Sequence, residues 1–321
     1  MIERADRTGW VVERNVVDEV DAYSNSVAGI DIEAVRSSGG TGPNEVLAAQ
    51  GSPFTFTSCS VGFPMRSRTT IPDDRIIAAA VTAAPQGSRW CEIDLRPGSL
   101  IVYGPATEHT AVNLPGLQFN FTITTVEQLA ETADLLGLPV VMPPDGQAHE
   151  LSTTDRTQRL APALTSFAEA AGRSDSSMIR LADDVMRALA SALGERGRLR
   201  RVGGGPAVDS RHIVHQCIDY ADSTQRIPSI SELCLVAHVS ERRLREAFVR
   251  EFDQPPSRYF RNWALEAAHR RLRDGDPAVH SVTEIAADIG FDHLGRFAGN
   301  YRALYDEPPS TTLQTSRPFV S

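Results

Sequence analysis

The last third of this 321-residue sequence contains one helical pattern twice. The first copy runs from Ile227 to Phe260 and the second from Ser281 to Leu313. Each copy has a short apolar-periodic segment, a turn, a longer apolar-periodic segment, and then an aromatic residue, an aspartate and a double proline. A repeated unit of this kind predicts two copies of one supersecondary structure, a short helix joined by a tight turn to a longer one.

The spacing within each copy is that of a helix-turn-helix. Counted from His238, apolar residues of the first longer helix recur at offsets of 6, 10 and 14, and counted from Gly290 those of the second recur at 7, 11 and 15. This period leaves each longer helix with one buried stripe and one free face. The shorter helices match position by position, through Ile230, Leu233, Cys234 and Ala237 in one copy and Val282, Ile285, Ala286 and Ile289 in the other.

Residues 208–313 resemble the paired helix-turn-helix domain of the AraC/XylS family of transcription regulators. The resemblance includes both half-motifs, the long helix between them over 257–273, and the phrase EIAADIGF that begins at Glu284. It implies a sequence-specific DNA-binding regulator with double-stranded DNA, RNA polymerase and a small-molecule effector as partners, and the family's leaning favours an activator. Departures from the family pattern are His238 at a turn glycine, Asp253 and Asp306 where glycine is common, and Ala264 where an arginine often stands.

The resemblance assigns the DNA contacts of the first copy residue by residue. Its base-contacting positions fall on Arg242, Arg245 and Glu246, with Arg243 and Arg250 placed for phosphates. An arginine can donate to guanine O6 and N7, and a carboxylate can accept from cytosine N4. A solvated helix face, with Glu246 paired to an arginine four residues away, is the alternative and stays open.

The second copy has fewer groups that can contact bases. Its matching positions offer Leu294 for a thymine methyl, Arg296 and Arg302 for phosphate, and the glycines 295 and 299. Each glycine weakens a helix by about 1 kcal/mol relative to alanine. We therefore expect the first copy to supply most of the sequence specificity and the second to hold the DNA backbone.

Between residues 30 and 124 the pattern changes to short strand-like segments separated by Gly, Pro, Asn and Asp. These segments are 31–35, 54–63, 75–83, 90–95, 99–104 and 117–124. The phrase from Arg96 to Asn113 resembles the second motif of the cupin barrel, with Gly104 and Ala106 as departures. The predicted fold class is α+β, with an N-terminal cupin-like β-barrel and helical hairpin, and a C-terminal all-α domain with two helix-turn-helix motifs.

In the AraC/XylS family such a barrel commonly senses a small molecule. Candidate effector-binding residues are Arg66, Arg68, Trp90, Tyr103 and His109, a set that suits an aromatic or carboxylated ligand. The alternative for each is that the aromatic residues are ordinary core and the arginines ordinary surface.

A metal-binding cupin also needs an earlier H-x-H and a carboxylate, whereas His109 is the first histidine of the chain. We therefore predict no metal, no cofactor and no enzyme activity. A ligand-binding or metal-dependent cupin enzyme, and an effector-independent regulator whose barrel makes protein contacts, are the alternative functions. His212 and His215 are spaced for a shared metal, but no further ligand is near in sequence.

The predicted domains are 1–193 for effector binding and dimerisation, 194–206 as a flexible linker with five glycines and four arginines, and 207–321 for DNA binding. Helical periodicity over 155–171 and 176–193 predicts a hairpin. Our hypothesis is that this hairpin carries a homodimer interface. The alternative is that it packs only against its own sheet.

Composition favours a cytoplasmic protein without a membrane segment. The N-terminus has no signal-peptide core and no apolar run approaches a membrane span. The net charge is −9 and there is no lysine, so every basic side chain at a phosphate must be arginine or histidine. Positive charge concentrates in 231–273, where nine arginines face six acids.

Overall fold

The computed structural model describes residues 9–27, 29–40, 42–152, 157–194, 199–202 and 206–315, with backbone alone for 199–202 and 206–208. These residues form two compact units. The first comprises the described residues up to Glu33 together with those of 42–62 and 67–204, and the second comprises those of 34–41, 63–66 and 205–321. The fold is mixed α and β, with a β-sheet N-terminal part and a helical C-terminal part, as the sequence predicts.

Eight strands form the larger sheet. In spatial order they are β1 (Val11–Val17), β3 (Asn44–Gln50), β4 (Thr55–Ser60), β11 (Gln118–Thr125), β6 (Arg75–Ala83), β9 (Leu100–Tyr103), β12 (Ala148–Leu151) and β13 (Leu199–Val202). The neighbouring strands pair antiparallel, for example with Phe121 of β11 opposite Thr57 of β4 and Ala79 of β6.

The smaller sheet has five strands, in the order β2 (Asp31–Arg36), β5 (Met65–Thr70), β10 (Glu108–Asn113), β7 (Arg89–Trp90) and β8 (Ile93–Asp94). The segment expected as one strand over 90–95 is instead two short strands. Cys91 between them has a φ of 50°, a left-handed conformation that interrupts an extended chain.

The other predicted strand segments are confirmed as β2, β4, β6, β9 and β11. The sequence patterns did not predict β1, β3, β5, β10 and β12. They also did not predict β13, which lies inside the expected linker. Its four residues pair with β12, Leu199 opposite Leu151 and Val202 opposite Ala148, because β12 offers an unpaired edge to an apolar-ended segment. Residues 195–198 and 203–205 of that linker lie outside the described part of the chain.

Helices α1 (Val20–Asn25), α2 (Val126–Leu136), α3 (Leu160–Arg173) and α4 (Met178–Leu193) complete the first unit. The hairpin of α3 and α4 confirms the two predicted helices, which are joined by Ser174 in a left-handed conformation. Phe167 of α3 is fully buried, with its ring centroid 4.9–5.1 Å from those of Trp10, Phe54 and Phe56. The apolar stripe of α3 therefore packs against its own sheet, as the alternative to the dimer hypothesis expects.

The second unit is helical. It contains α5 (Pro206–Thr224), α6 (Ile230–Val236), α7 (Glu241–Phe252), α8 (Pro256–Asp274), α9 (Val282–Ile289), α10 (Leu294–Tyr305) and α11 (Pro309–Thr315). Both predicted short-helix and long-helix pairs are present, as α6 with α7 and α9 with α10. The predicted connecting helix is α8, whose buried face includes Phe260, Trp263 and Ala264. Ala264 is fully buried within this core, at the position where the family often has an arginine.

Candidate nucleic-acid interface and ligand cavity

The short helix of each repeat begins at a capping box, which fixes where it starts. Ser229 accepts from the backbone N–H of Glu232, and the Glu232 carboxylate accepts from the backbone N–H of Ser229. Ser281 and Glu284 make the same reciprocal pair at α9. Arg226 also donates to Glu232, at 3.2 Å from Nη1 to Oε2. Hydrogen bonds from Arg226 and then from Ser229 hold the pKa of Glu232 far below its usual value.

The turns and helix ends take left-handed backbone conformations that position the longer helices. At the turns, φ is 51° for His238 and 100° for Gly290. Asp253 and Asp306 end α7 and α10 with φ of 54° and 60°. Histidine and aspartate are among the non-glycine residues that tolerate this region, so these departures from glycine preserve the fold as the sequence predicts.

Helix α7 separates core and free faces along the predicted stripe. Leu244, Phe248 and Phe252 are fully buried. On the opposite side lie four exposed side chains, those of Arg242, Arg245, Glu246 and Arg250, while Arg243 is half-buried. Ser240 caps the helix by accepting from the Arg243 N–H at 3.3 Å. The five residues assigned to DNA by resemblance therefore all reach the surface of one helix.

Arg242 and Glu246 form an ion pair on that face, with Nε 2.9 Å from Oε1. The Arg242 side chain is 89 % exposed, so water screens the pair and it adds little stability. The hydrogen bond to Glu246, and then its negative charge, raise the pKa of Arg242 above its usual value. The pair matches the alternative explanation for Glu246. It also leaves both groups on the free face of α7.

The exposed face of helix α10 has smaller side chains than that of α7, with two glycines. Phe297 and Tyr301 are buried, whereas Leu294 is 42 % exposed and Arg296 and Arg302 are exposed. Gly295 and Gly299 are also exposed, and a Cβ built on either would meet no heavy atom within 4 Å. The intramolecular packing therefore does not require glycine at these two positions.

A cavity lies between the two sheets of the first unit. Its lining residues come from strands of both sheets and from the chain around α1, and they are mostly apolar or aromatic: Tyr23, Ile30, Ile32, Ser67, Thr69, Ile71, Ile77, Ala79, Trp90, Tyr103, His109, Ala111, Asn113, Phe119 and Phe121. The empty space between these atoms is ≈ 490 Å³ with the mouth included, and ≈ 60 Å³ of it accepts the centre of a water molecule.

Three of the five predicted effector-binding residues line this cavity together. The ring centroid of His109 lies 4.8 Å from that of Tyr103 and 5.9 Å from that of Trp90. The imidazole Nδ1 is 3.4 Å from Cys91 Sγ. Trp90 Nε1 donates to Asn113 Oδ1 at 2.9 Å, so the indole is fixed by a second lining residue.

Arg66 and Arg68 do not line the cavity, contrary to the expectation of one shared pocket. Successive side chains of a strand point to opposite faces, and in β5 Ser67 and Thr69 face the cavity. Arg68 instead pairs with Glu33, with Nη2 to Oε1 at 2.8 Å. Arg66 belongs to the second unit, where its Nε donates to the carbonyl of Phe252 at 2.7 Å.

A helix-turn-helix domain family matches residues 233–315. The XylDLEGF operon transcriptional activator 2 of Pseudomonas putida is 34 % identical over 133 residues, which are 41 % of this chain and 80 % of that protein. The chain belongs to the AraC/XylS family of transcription regulators.

This AraC/XylS protein is also similar to a further curated relative and to a solved structure. The XylDLEGF operon transcriptional activator of Pseudomonas putida is 40 % identical over 100 residues, and the match spans 31 % of each protein. A solved structure of a probable AraC family transcriptional regulator from Rhodopseudomonas palustris CGA009 is 34 % identical, covering 33 % of this chain and 98 % of that one with a TM-score of 0.31. The match thus spans about a third of the length of the XylDLEGF operon transcriptional activator.

Sequence reasoning missed most of the lining residues of the AraC/XylS chain's cavity. Ser67, Thr69 and Asn113 are the clearest cases, since all three are buried polar residues. The sequence signal that could have identified the inward-facing residues is the alternation of side chains along β5. In the RSRT stretch of β5 the arginines and the small hydroxyls occupy opposite faces, so they cannot both face one pocket.

The two histidines of α5 do not form a shared site in this AraC/XylS chain. His212 is exposed and His215 is buried on α5, so the two imidazoles do not share an environment. Within the described ranges, no group of three or more His, Cys, Asp or Glu side chains is placed to hold a metal. Over the same part of the chain, no helix is long and apolar enough to cross a membrane.

Proposed function

We propose that this protein is a sequence-specific DNA-binding transcription regulator, an activator controlled by a small molecule bound in its first unit. The observation that carries the DNA-binding part is the exposed face of α7. Arg242, Arg245, Glu246 and Arg250 project from a helix whose opposite face is fully buried. In a helix-turn-helix this face enters the major groove, where arginine and glutamate contact base edges.

The exposed side chains of the two repeats differ, which supports different roles for α7 and α10 in DNA binding. Exposed α7 side chains carry several hydrogen-bonding groups, whereas α10 exposes Leu294, two glycines and two arginines. Phosphate contacts position a protein on DNA and base contacts specify sequence. We assign base selection mainly to α7 and backbone contact to Arg296 and Arg302 of α10.

Selection of bound sequences from random duplex DNA by the full-length protein tests this assignment. Arg245→Ala should lower discrimination at the contacted base pair by about 1–3 kcal/mol. Arg296→Ala should instead weaken binding to all sequences and reduce the salt slope by about one. Arg96→Ala, which removes an exposed arginine of the loop between β8 and β9, is the control and should change neither. A larger loss of sequence preference for Arg296→Ala than for Arg245→Ala would refute the assignment.

The cavity between the sheets supports the effector part of the proposal. It is concave, mainly apolar and lined by a few converging polar groups, which is the usual form of a small-molecule site. A ligand changes DNA binding only when it binds one arrangement of the protein better than another. If ligand occupancy leaves DNA affinity unchanged, the effector-independent regulator is the better description.

Assembly and partners complete the proposal. We propose a homodimer acting on chromosomal DNA in the cytoplasm with RNA polymerase, because two linked DNA-binding heads raise the effective concentration at paired sites. Since the apolar stripe of α3 is buried, we place a hairpin interface on the exposed face of α4, which includes Ile179, Arg180 and Asp184. Direct-repeat sites from the DNA selection would support the family's arrangement, and strict palindromes would oppose it.

A further inference from the structure

The wall of the cavity carries no carboxylate, guanidinium or ammonium group among the described residues that line it. The strand geometry explains this. Ser67 and Thr69 face inward from β5, so alternation turns Arg66 and Arg68 to the other side. His109, Ala111 and Asn113 face inward from β10 by the same alternation, which leaves Glu108 exposed.

Three uncharged polar side chains are buried in this wall. The residues Ser67, Thr69 and Asn113 are 4 %, 6 % and 3 % exposed. All three side chains line the cavity, and Asn113 Oδ1 accepts a hydrogen bond from Trp90 Nε1 at 2.9 Å, which leaves the Asn113 NH₂ group for other acceptors. Two hydroxyls and an amide NH₂ therefore lie on one cavity wall, where a ligand with a hydrogen-bond acceptor could bind to them.

A carboxylate would gain little from this wall. Moving an ionised group from water into an apolar site is costly unless a fixed opposite charge compensates it. The one titratable cation of the wall is His109, whose Nδ1 lies 3.4 Å from Cys91 Sγ and whose ring contacts Tyr103 and Trp90. A neutral carbonyl or amide loses far less hydration and can accept from the Asn113 amide and the hydroxyls.

The aromatic part of the cavity wall favours a ligand with a compact, flat and apolar body. Trp90 and Phe119 meet edge-to-face at 4.9 Å between centroids, and Phe119 and Phe121 stack at 6.0 Å. Aromatic walls of this kind favour a further ring. Only ≈ 60 Å³ of the cavity is open to water centres, so we take a single ring as the upper size of that body.

We propose that the cavity binds an uncharged, single-ring-sized molecule bearing a carbonyl, amide or hydroxyl group, and that it discriminates against the corresponding carboxylate. The inference rests on the proposed function in taking the cavity as the effector site. Ser67, Thr69 and Asn113 are its specificity-determining residues, because they supply uncharged hydrogen-bonding groups where a carboxylate site would need an arginine.

Benzamide and benzoate form the matched pair of probes, since they share ring and shape and differ in charge. Full-length protein is titrated with each at pH 7.5, following Trp fluorescence and thermal melting. A ligand that binds the native state alone raises Tm with concentration. We expect benzamide to bind at least tenfold more tightly than benzoate.

Two isosteric variants test whether benzamide binding depends on the polar side chains of the cavity wall. Thr69→Val removes the inward hydroxyl and should raise the Kd of benzamide roughly two- to tenfold, the loss expected for one neutral hydrogen bond. Thr122→Val is the control, because Thr122 of β11 is buried without lining the cavity. It should leave the Kd unchanged.

The outcomes separate the ligand class from the proposed function. Equal or tighter binding of benzoate, no binding of either probe at its solubility limit, or equal effects of the two threonine variants would overturn the ligand class. Preferential benzamide binding that leaves DNA affinity unchanged supports the ligand class and contradicts the effector response. Preferential binding with altered DNA affinity supports both.

Discussion

Replacing Gly299 by alanine should stabilise the protein while weakening its binding to DNA. Gly299 lies in the middle of α10, on the exposed side, and a Cβ there meets nothing within 4 Å. The substitution therefore adds helix propensity without any clash inside the protein. If the glycine face of α10 lies against DNA, the added methyl occupies space that the DNA backbone needs.

The magnitude follows from the position in the helix. An exposed glycine in a helix interior costs about 1 kcal/mol relative to alanine. For a unit of about 100 residues, 1 kcal/mol corresponds to a shift in Tm of roughly 4–8 °C. Gly295 is the second residue of α10, in the turn that lacks intrahelical partners for its N–H groups, so Gly295→Ala should give a smaller gain.

On the DNA side, overpacking a close contact costs about 1–3 kcal/mol, which is a loss of affinity of roughly fivefold or more. Urea unfolding followed by circular dichroism measures the stability change, and fluorescence anisotropy with a selected duplex measures the affinity. Gly172→Ala in α3 is the control. Its Cβ would approach only the Nη2 atom of Arg14, at 3.4 Å, and it should leave DNA affinity unchanged.

Two results would refute this reasoning. A Gly299→Ala variant that is less stable than the parent would show that the open space around Gly299 is not available to a side chain. A stabilised variant with unchanged DNA affinity would show that α10 does not bring its glycine face close to the duplex.

Acid should destabilise the parent more steeply than Glu232→Gln. The folded-state pKa of Glu232 lies below its ordinary value of 4.5. The stabilisation by the Glu232 carboxylate is therefore present above about pH 4.5 and is lost as pH falls toward the folded-state pKa. Denaturation midpoints of the parent and the variant, measured at pH 6 and at pH 3, test this. Phe167→Ala should cost the first unit about 3–5 kcal/mol, because it empties a fully buried aromatic site, and an unchanged urea midpoint would contradict the described core. Ile179→Glu, at a side chain 54 % exposed, should leave folding intact and dissociate a hairpin-mediated dimer, so sedimentation that gives the same oligomer as the parent would exclude that interface.

Much of the helical unit could be predicted because its information is local. The period of three and four residues placed Leu244, Phe248 and Phe252 on one buried stripe, and the same period left the arginines of α7 on the free face. The serine caps of α6 and α9 lie within three residues of their partners. The sequence did not show whether Arg242 and Glu246 contact bases or pair with each other, because a spacing of four residues on a helix allows both.

The cavity was less accessible to sequence reasoning, because its wall is assembled from strands distant in the chain. Trp90, Tyr103 and His109 were identified as candidates, but nothing in their spacing showed that Asn113 holds the Trp90 indole. The guanidinium groups of Arg66 and Arg68 suit a carboxylated ligand, but the pleat of β5 turns both side chains away from the cavity. Strand β13 was missed for a similar reason, as its stability comes from pairing with β12 and not from its own composition.

The repeated helix-turn-helix and the free face of each long helix can be read from the chain, because helical periodicity and capping act over only a few residues. The resemblance of residues 208–313 added the family. Strand pairing sets which polar groups face the space between the sheets, and these groups are the basis for the uncharged ligand that we propose. That choice depends on strand register, in which a shift of one residue exchanges the two faces. Register is set by pairing between distant segments, such as β11 with β4 and β6.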